Sequence, residues 1–355
     1  MPPYPASDDG SHTPSDPHTK RRAGFGVAAY TFPYSCGFAQ RPEQPRITRP
    51  LDAWGLIDLA AAHHLSSVEL PLLSTLPDLS ASTIKRLRME LAERDLSLVV
   101  DIGVVDQATQ GLLPVAADAG GRVVRVMLST ILEGARGDFA TWTAYLDEMR
   151  QRIIELVPIL EEHDLVLALE NHQDASSDEL LALCEAGGPR IGVTFDVVNP
   201  LAVGEEPFAF ARKLGSFIRN VHLKDYQIFA TPSGYRLVRC ALGQGVIDWR
   251  AMRALLHEVA PGAFLHIELA ALYGRHIRLL EEEWWRGYPP RDVREVVPTL
   301  RLLAGHVQPE GHPWQTPWER QAPGEEVAAY EMEQFEASVR HLQALETMEV
   351  TRQLT

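Results

Sequence analysis

The stretch that decides the fold is residues 165–170, LVLALE, followed at once by Asn171 and His172. It is short, almost wholly apolar, and ends abruptly on a carboxylate. A run of this kind suits a strand buried on both faces, as in a parallel sheet. Packing does not explain the acid at its C-terminal end. Three later stretches repeat the pattern. RIGVTFD ends on Asp196, FIRNVH ends on His222 with LKD behind it, and AFLHIE ends on Glu268. Four successive apolar strands thus deliver one metal-type ligand each, at the same end.

Outward from this stretch, strands and helices alternate. Strands are expected at 24–30, 67–70, 96–103 and 122–128 before it, and at 190–196, 217–222 and 263–268 after it. Helices are expected at 51–64, 79–94, 106–119, 139–163, 176–185, 207–214, 248–259 and 292–304. Ser177, Asp178 and Asp248 are cap candidates, and Pro158 should kink its helix or start a fresh turn. An excursion over 226–245 reads as a hairpin, 228–231 and 235–239, around Pro232–Ser233–Gly234. Eight strand–helix units within 23–306 fit a (β/α)8 TIM barrel. An open doubly wound sheet rarely needs eight units, and would not place one ligand on each of four consecutive strands.

The flanks differ in composition. Residues 1–22 are polar and Pro-rich, and read as a disordered tail. Residues 307–355 read as a linker, to 324, plus a C-terminal helix over 325–348. That helix carries Met332, Phe335, Val339, Leu342 and Leu345 on one stripe, which docks on its own barrel or on a partner subunit.

With 33 basic and 48 acidic residues the formal charge is −15. Such a surface repels phosphate backbones and anionic bilayers, so neither nucleic acid nor membrane is an expected partner. Cys36, Cys184 and Cys240 are few and far apart, which fits a reducing cytoplasm. No apolar h-region opens the chain, and no apolar run is long enough to span a bilayer.

In a (β/α)8 barrel the C-terminal strand ends line the active site. Glu170, Asp196, His222 and Glu268 would converge there. Three carboxylates and one imidazole are a hard, oxygen-rich set that suits Mn²⁺ or Mg²⁺; Zn²⁺ or Co²⁺ also fits. Asn171, His172, Asn199, Lys224 and Asp225 stand beside these ligands, and His266 precedes Glu268 by two. Arg239 precedes the loop Leu242–Gly243–Gln244–Gly245, which holds a phosphate or, the blander reading, makes a tight turn. His63 and His64 lie on an expected helix as surface or packing residues. Trp284 and Trp285 form a lid or a packing anchor.

The phrases ALENH, GVTFDVVNP, VHLKD, ALGQGVIDW and HIELA resemble the xylose-isomerase-like barrel superfamily of sugar phosphate isomerases and epimerases. That group includes ketose 3-epimerases, inosose dehydratase and the metal subunit of C-glycoside deglycosidases. The resemblance covers roughly residues 24–305. It implies metal ligands at Glu170, Asp196, His222 and Glu268, an acid/base pair at Glu170 and Glu268, and a substrate contact at Arg239. Asn199 stands where the epimerases carry a histidine.

These readings converge on a cytoplasmic, divalent-metal enzyme acting on a small sugar or glycoside, as an oligomer or with a second subunit. The expected reaction is isomerisation or epimerisation of a keto sugar through an enediolate. The alternative is a lyase sharing that first step, with His172 or His266 as the acid at the leaving group and Asn199, Lys224 and Arg239 binding substrate. A metal nuclease is disfavoured by the charge, and an idle partner subunit by the intact ligand quartet.

Overall fold

The expected apolar runs pair in parallel. The computed structural model describes residues 24–43 and 47–353, with side chains as far as 348. Seven strands run in chain order around a closed barrel: β1 (Gly26–Ala28), β2 (Ser67–Pro71), β3 (Ser97–Val104), β4 (Val123–Met127), β5 (Val166–Glu170), β6 (Ile191–Asp196) and β7 (Ile218–Leu223). β8 (Asp225–Thr231) and β9 (Gly234–Cys240) then leave the barrel as an antiparallel hairpin. β10 (Phe264–Ile267) returns to close the ring between β7 and β1. β11 (Arg275–Ile277) adds a third strand to the hairpin sheet, against β9. The chain is a TIM barrel with a small sheet inserted around its last strand.

Helices lie between the strands and cover the barrel. Their starts follow from local chemistry. Ser176 accepts from the Glu179 backbone while the Glu179 side chain accepts from Ser176 N–H, a complete capping box at the helix after β5. Asp248 caps the helix Trp249–Val259 by accepting from Ala251 N–H at 3.0 Å. The 139–163 expectation appears as one helix, Phe139–Glu162, with Pro158 inside it. β1 is shorter than the expected 24–30 because Ala29–Thr31 tightens into a 3₁₀ turn. The barrel is narrow here: a Cβ on Gly26 would collide with Ser67 and with the His266 ring.

Inside the barrel, strand residues alternate between facing the axis and facing the helices. Leu169, Phe195 and Val221 join the apolar layer. Their neighbours Glu170, Thr194, Asp196, Asn220 and His222 are polar and buried.

The stretch expected as a linker is tied down. Gln308 N–H donates to Ile228 O at 2.7 Å, and Thr316 Oγ1 donates to Leu272 O at 2.5 Å. Glu319 pairs with Arg236, and Trp318 packs between Tyr34 and Tyr273. The C-terminal helix, Gly324–Gln353, docks on its own barrel. Phe335 meets Phe32 and His63 edge-on at 5.2 and 5.0 Å, and Val339 and Leu342 are buried with it. Residues 1–23 lie outside the described residues, so the tail expectation has no structural counterpart here.

Candidate metal centre

β5, β6 and β7 end side by side, which brings Glu170, Asp196 and His222 together. Asp196 pairs level with His222 across β6–β7, and Glu170 pairs with Thr194 across β5–β6. One ligand-type atom from each residue lies within 4.8 Å of the other two. All three side chains are buried. Glu268 follows β10 directly, and its Oε2 stands 4.0 Å from His222 Nδ1. The four residues expected to converge are therefore neighbours at one end of the barrel.

The histidine is aimed. Its Nε2 lies 2.9 and 3.0 Å from the two Glu69 oxygens. Its Nδ1 is buried with no hydrogen bond, 3.4 Å from Glu170 Oε1. A carboxylate behind one ring nitrogen, with the other nitrogen turned toward the neighbouring carboxylates, is the arrangement that orients a metal-ligating imidazole. Burial works to raise the Glu69 pKa, yet the His222 charge and hydrogen bond bring it down to about 2. Burial works against the His222 cation, but Glu69 and Glu170 hold its pKa well above the ordinary value.

Two cations stand among the carboxylates. Arg125 donates to Asp101 Oδ1 at 2.8 Å and to Glu170. Burial works to raise the Glu170 pKa, yet Arg125 keeps the carboxyl well below the usual range. Lys224 Nζ reaches Asp196 Oδ2 at 2.5 Å and also pairs with Glu268. Burial still raises the Asp196 pKa, with Lys224 opposing it. Asn171 locks the end of β6 from both sides: its Nδ2 donates to Asp196 O at 2.9 Å, and its Oδ1 accepts from Asp196 N–H at 2.7 Å.

The remaining expected residues are spread around this centre. His172 follows Glu170, with Nδ1 sequestered and unbonded; burial lowers its pKa to about 4. Asn199 is buried and accepts from Gln173 Nε2 at 3.2 Å. His266 lies beside Asn220 and Glu69, its Nδ1 2.8 Å from Asn220 Oδ1 and 3.8 Å from Glu69 Oε2, and its ring stacks on Phe264. Arg239 lies on the hairpin sheet and donates to Tyr273 O at 2.7 Å. Trp284 and Trp285 are anchors, donating to Glu133 O and Leu279 O at 2.9 Å each, with Trp284 stacked on Tyr288.

Gly243 and Gly245 do form an anion cradle, and the chain fills it itself. The Asp225 carboxylate accepts from the backbone of Gly243, Gly245, Val246 and Ile247 and from Trp249 Nε1. A Cβ on Gly245 would collide with that carboxylate.

Sequence reasoning missed Asp101, Arg125 and Asn220 as parts of the centre, and Glu69 with them. Glu69 obeys the same rule as the ligands, a carboxylate near the end of an apolar run, SVEL. The others lie inside strands, where one polar residue carries no signal.

A divalent cation fits these residues. The donors are two buried carboxylates and an imidazole nitrogen that faces them, His222 Nδ1 at 3.4 Å from Glu170 Oε1, with a further carboxylate adjacent. An ammonium, Lys224 Nζ, already bridges Asp196 and Glu268, so positive charge is favourable at that spot.

The fold has counterparts among known proteins. Over 214 residues the chain is 24% identical to 3-oxo-isoapionate decarboxylase of Pectobacterium atrosepticum, covering 58% of this chain and 74% of that protein. D-psicose 3-epimerase with D-tagatose from Clostridium cellulolyticum superposes with a TM-score of 0.53 at 13% identity, over 90% of this chain and 99% of that one. The probable 3-DHS dehydratase AsbF from Bacillus anthracis superposes with a TM-score of 0.51, also at 13% identity, over 70% of this chain and 93% of the other. Residues 57–286 match the family described as xylose isomerase-like TIM barrel, and the chain belongs to that family.

Proposed function

We propose that this protein is a divalent-metal-dependent enzyme that removes a proton next to the carbonyl of a small keto sugar and returns it elsewhere, as an isomerase or epimerase. The convergence of Glu170, Asp196 and His222 within 4.8 Å carries the reading, together with the unbonded His222 Nδ1. Glu170, Asp196, His222 and Glu268 would hold the cation, Mn²⁺ by their oxygen-rich character. When bound there, it supplies Lewis acidity that polarises the carbonyl and stabilises enediolate charge.

The chain's own groups divide the remaining work. Arg125 keeps Glu170 ionised, and an ionised carboxylate is the form that accepts a proton from carbon. Glu268 offers the second carboxylate for returning the proton. Glu69 fixes the ring orientation of His222, and Asn171 fixes the backbone of Asp196. Lys224 holds Asp196 and Glu268 in place.

A second reading shares the proton-transfer apparatus but ends in bond cleavage, as a lyase. Asn199 favours it, since the amide is engaged with Gln173 and offers no imidazole where epimerases have one. The relative named as a decarboxylase favours it too, because loss of CO2 from a 3-oxo acid also drives electrons into a neighbouring carbonyl. His172 Nδ1 is then the group placed to meet the departing atom.

The test is turnover of keto sugars by the Mn²⁺-loaded protein in deuterated water, followed by NMR. Deuterium in a sugar of altered configuration is the expected result; a smaller fragment or an unsaturated keto sugar would move the assignment to the lyase. Glu170→Gln and Glu268→Gln, with metal content checked, should each slow exchange by about 10²–10⁴-fold. Absence of exchange in every keto sugar, with metal bound, overturns both readings.

A further inference from the structure

Among the described residues, the polar atoms sequestered without a hydrogen bond include three on the hairpin sheet: Tyr226 Oη, Arg239 Nε and Arg275 Nε. They share one face of the hairpin sheet. Arg239 pairs directly with Tyr226 across β8–β9, and Arg275 pairs with Leu237, two residues before Arg239. Directly paired residues, and residues two apart on one strand, project to the same side. The Arg239 guanidinium carbon stands 5.6 Å from the centre of the Tyr226 ring.

The opposite face of the sheet is covered. There Arg236 donates to Trp314 O at 3.2 Å and pairs with Glu319, while His312 meets Gln227 and Phe229. The face with Arg239 turns toward the metal centre. Arg239 and Tyr226 both act on the charge of Lys224, and Glu268 acts on that of Arg275.

Arg236 shows what the other two lack. It has Glu319, whereas among the described residues neither Arg239 nor Arg275 has a carboxylate at ion-pair distance. The two guanidiniums also oppose each other: burial first, and Arg239 second, lower the Arg275 pKa to about 10. Arg239 is only 4% exposed, so water does little to offset the charge. Sequestered like charges are unfavourable unless an opposite charge joins them. The planar guanidinium fork matches the oxygens of a carboxylate or phosphate, and a phenol hydroxyl adds a further donor. In a protein of net charge −15 this is a local reversal of sign, which focuses anions at one place.

We propose that Arg239, Arg275 and Tyr226 form an oxyanion subsite beside the metal centre, and that the keto sugar taken there carries a carboxylate or phosphate. The subsite goes beyond the single arginine contact that family resemblance implies, and its substrate class rests on the reading of the centre as a keto-sugar site.

Calorimetric titration of the full chain with D-gluconate, D-glucitol 6-phosphate and D-glucitol tests it. At least one anion should bind about tenfold or more tightly than neutral glucitol, and which one does so distinguishes carboxylate from phosphate. Arg275→Gln and Arg239→Gln should each erase most of that advantage, and Arg275→Gln should do so while leaving glucitol binding unchanged. Arg275→Lys, which keeps the charge and loses the fork, should retain part of it and controls for misfolding. Equal binding of all three ligands, or an anion preference that survives both Gln variants, overturns the subsite. The readout needs no turnover, so the reaction and the subsite fail separately. Exchange on neutral keto sugars without anion preference sinks only the subsite; anion binding without exchange sinks only the reaction.

Discussion

The two halves of the barrel use buried charge differently. In the half made by β5, β6, β7 and β10, polar side chains stand at strand ends, and one of them, His222 Nδ1, has no hydrogen bond. In the half made by β2, β3 and β4, the Glu69 and Asp101 carboxylates and the Arg125 guanidinium are paired, with Arg125 Nε left without a hydrogen bond. Glu69 accepts from Asn220 at 2.6 Å and faces His222, and Arg125 is shared between Asp101 and Glu170. The first half carries open valence, and the second holds it in place. A site built this way is oriented before any ligand arrives, because its reorganisation has been done by folding.

Arg125 gives the strongest way to break that comparison. Replacing it with methionine keeps most of the aliphatic stem but leaves Asp101 and Glu170 buried without their cation. Removing one partner from a buried ion pair costs about 3–5 kcal/mol. Urea unfolding of Arg125→Met should show a loss of that size, far above what a surface substitution produces. A variant as stable as the parent would mean that Arg125 serves only the site, and that the division between the halves is false.

Glu69 gives a smaller effect that sharpens it. Glu69→Gln preserves shape and still accepts a hydrogen bond from His222 or Asn220. It removes the charge that orients and enriches the imidazole. Partners of this type usually contribute about 10–100-fold to metal affinity. Competition with a chelator should show Mn²⁺ binding weakened to that extent, with the fold intact. Unchanged affinity would remove His222, or its partner Glu69, from the proposed centre.

The same comparison explains what was legible in the sequence. The barrel was, because each strand is a short apolar run and each helix announces itself by period and cap. The strand-end residues Glu170, Asp196, His222 and Glu268 were legible because a charge that stops an apolar run is locally conspicuous. Asp101 and Arg125 were not, because each gains its meaning from a partner on another strand, and Arg125 spans two. The hairpin was visible from its turn, but β11 is only Arg275–Ile277 and has no apolar period. The 307–324 stretch looked like a linker because it is held by single side chains, Thr316, Trp318 and Glu319, rather than by a periodic face. Gly243 and Gly245 looked like a phosphate loop or a turn, and only the fold shows Asp225 seated between them.

Glu331 supplies a third kind of buried charge, one with no cation at ion-pair distance among the described residues, and the smallest predicted effect. It sits on the C-terminal helix and accepts from Tyr34 N–H, Ser35 N–H and Ser35 Oγ at 2.7, 3.0 and 2.7 Å. Burial raises its pKa to about 7, against those three donors. The Cys36 thiol, whose pKa Glu331 helps to raise, is held protonated throughout this range chiefly by burial. A carboxyl whose folded pKa lies above its unfolded value stabilises the fold most fully below the unfolded pKa. That stability is then lost as pH rises through the folded pKa. The window is therefore from the ordinary carboxyl range up to about 7, and passing from pH ~6 to ~8 should cost about 1 kcal/mol. Glu69 and Glu170, with their pKa values held low, contribute nothing across that interval. Thermal melts of the parent and of Glu331→Gln at both pH values isolate the effect, since histidine titrations are common to the two proteins. The parent should lose more stability than the variant on going to the higher pH. Parallel curves would mean that the three donors hold Glu331 ionised already, as a cation would, and that the C-terminal helix is docked through a charge after all.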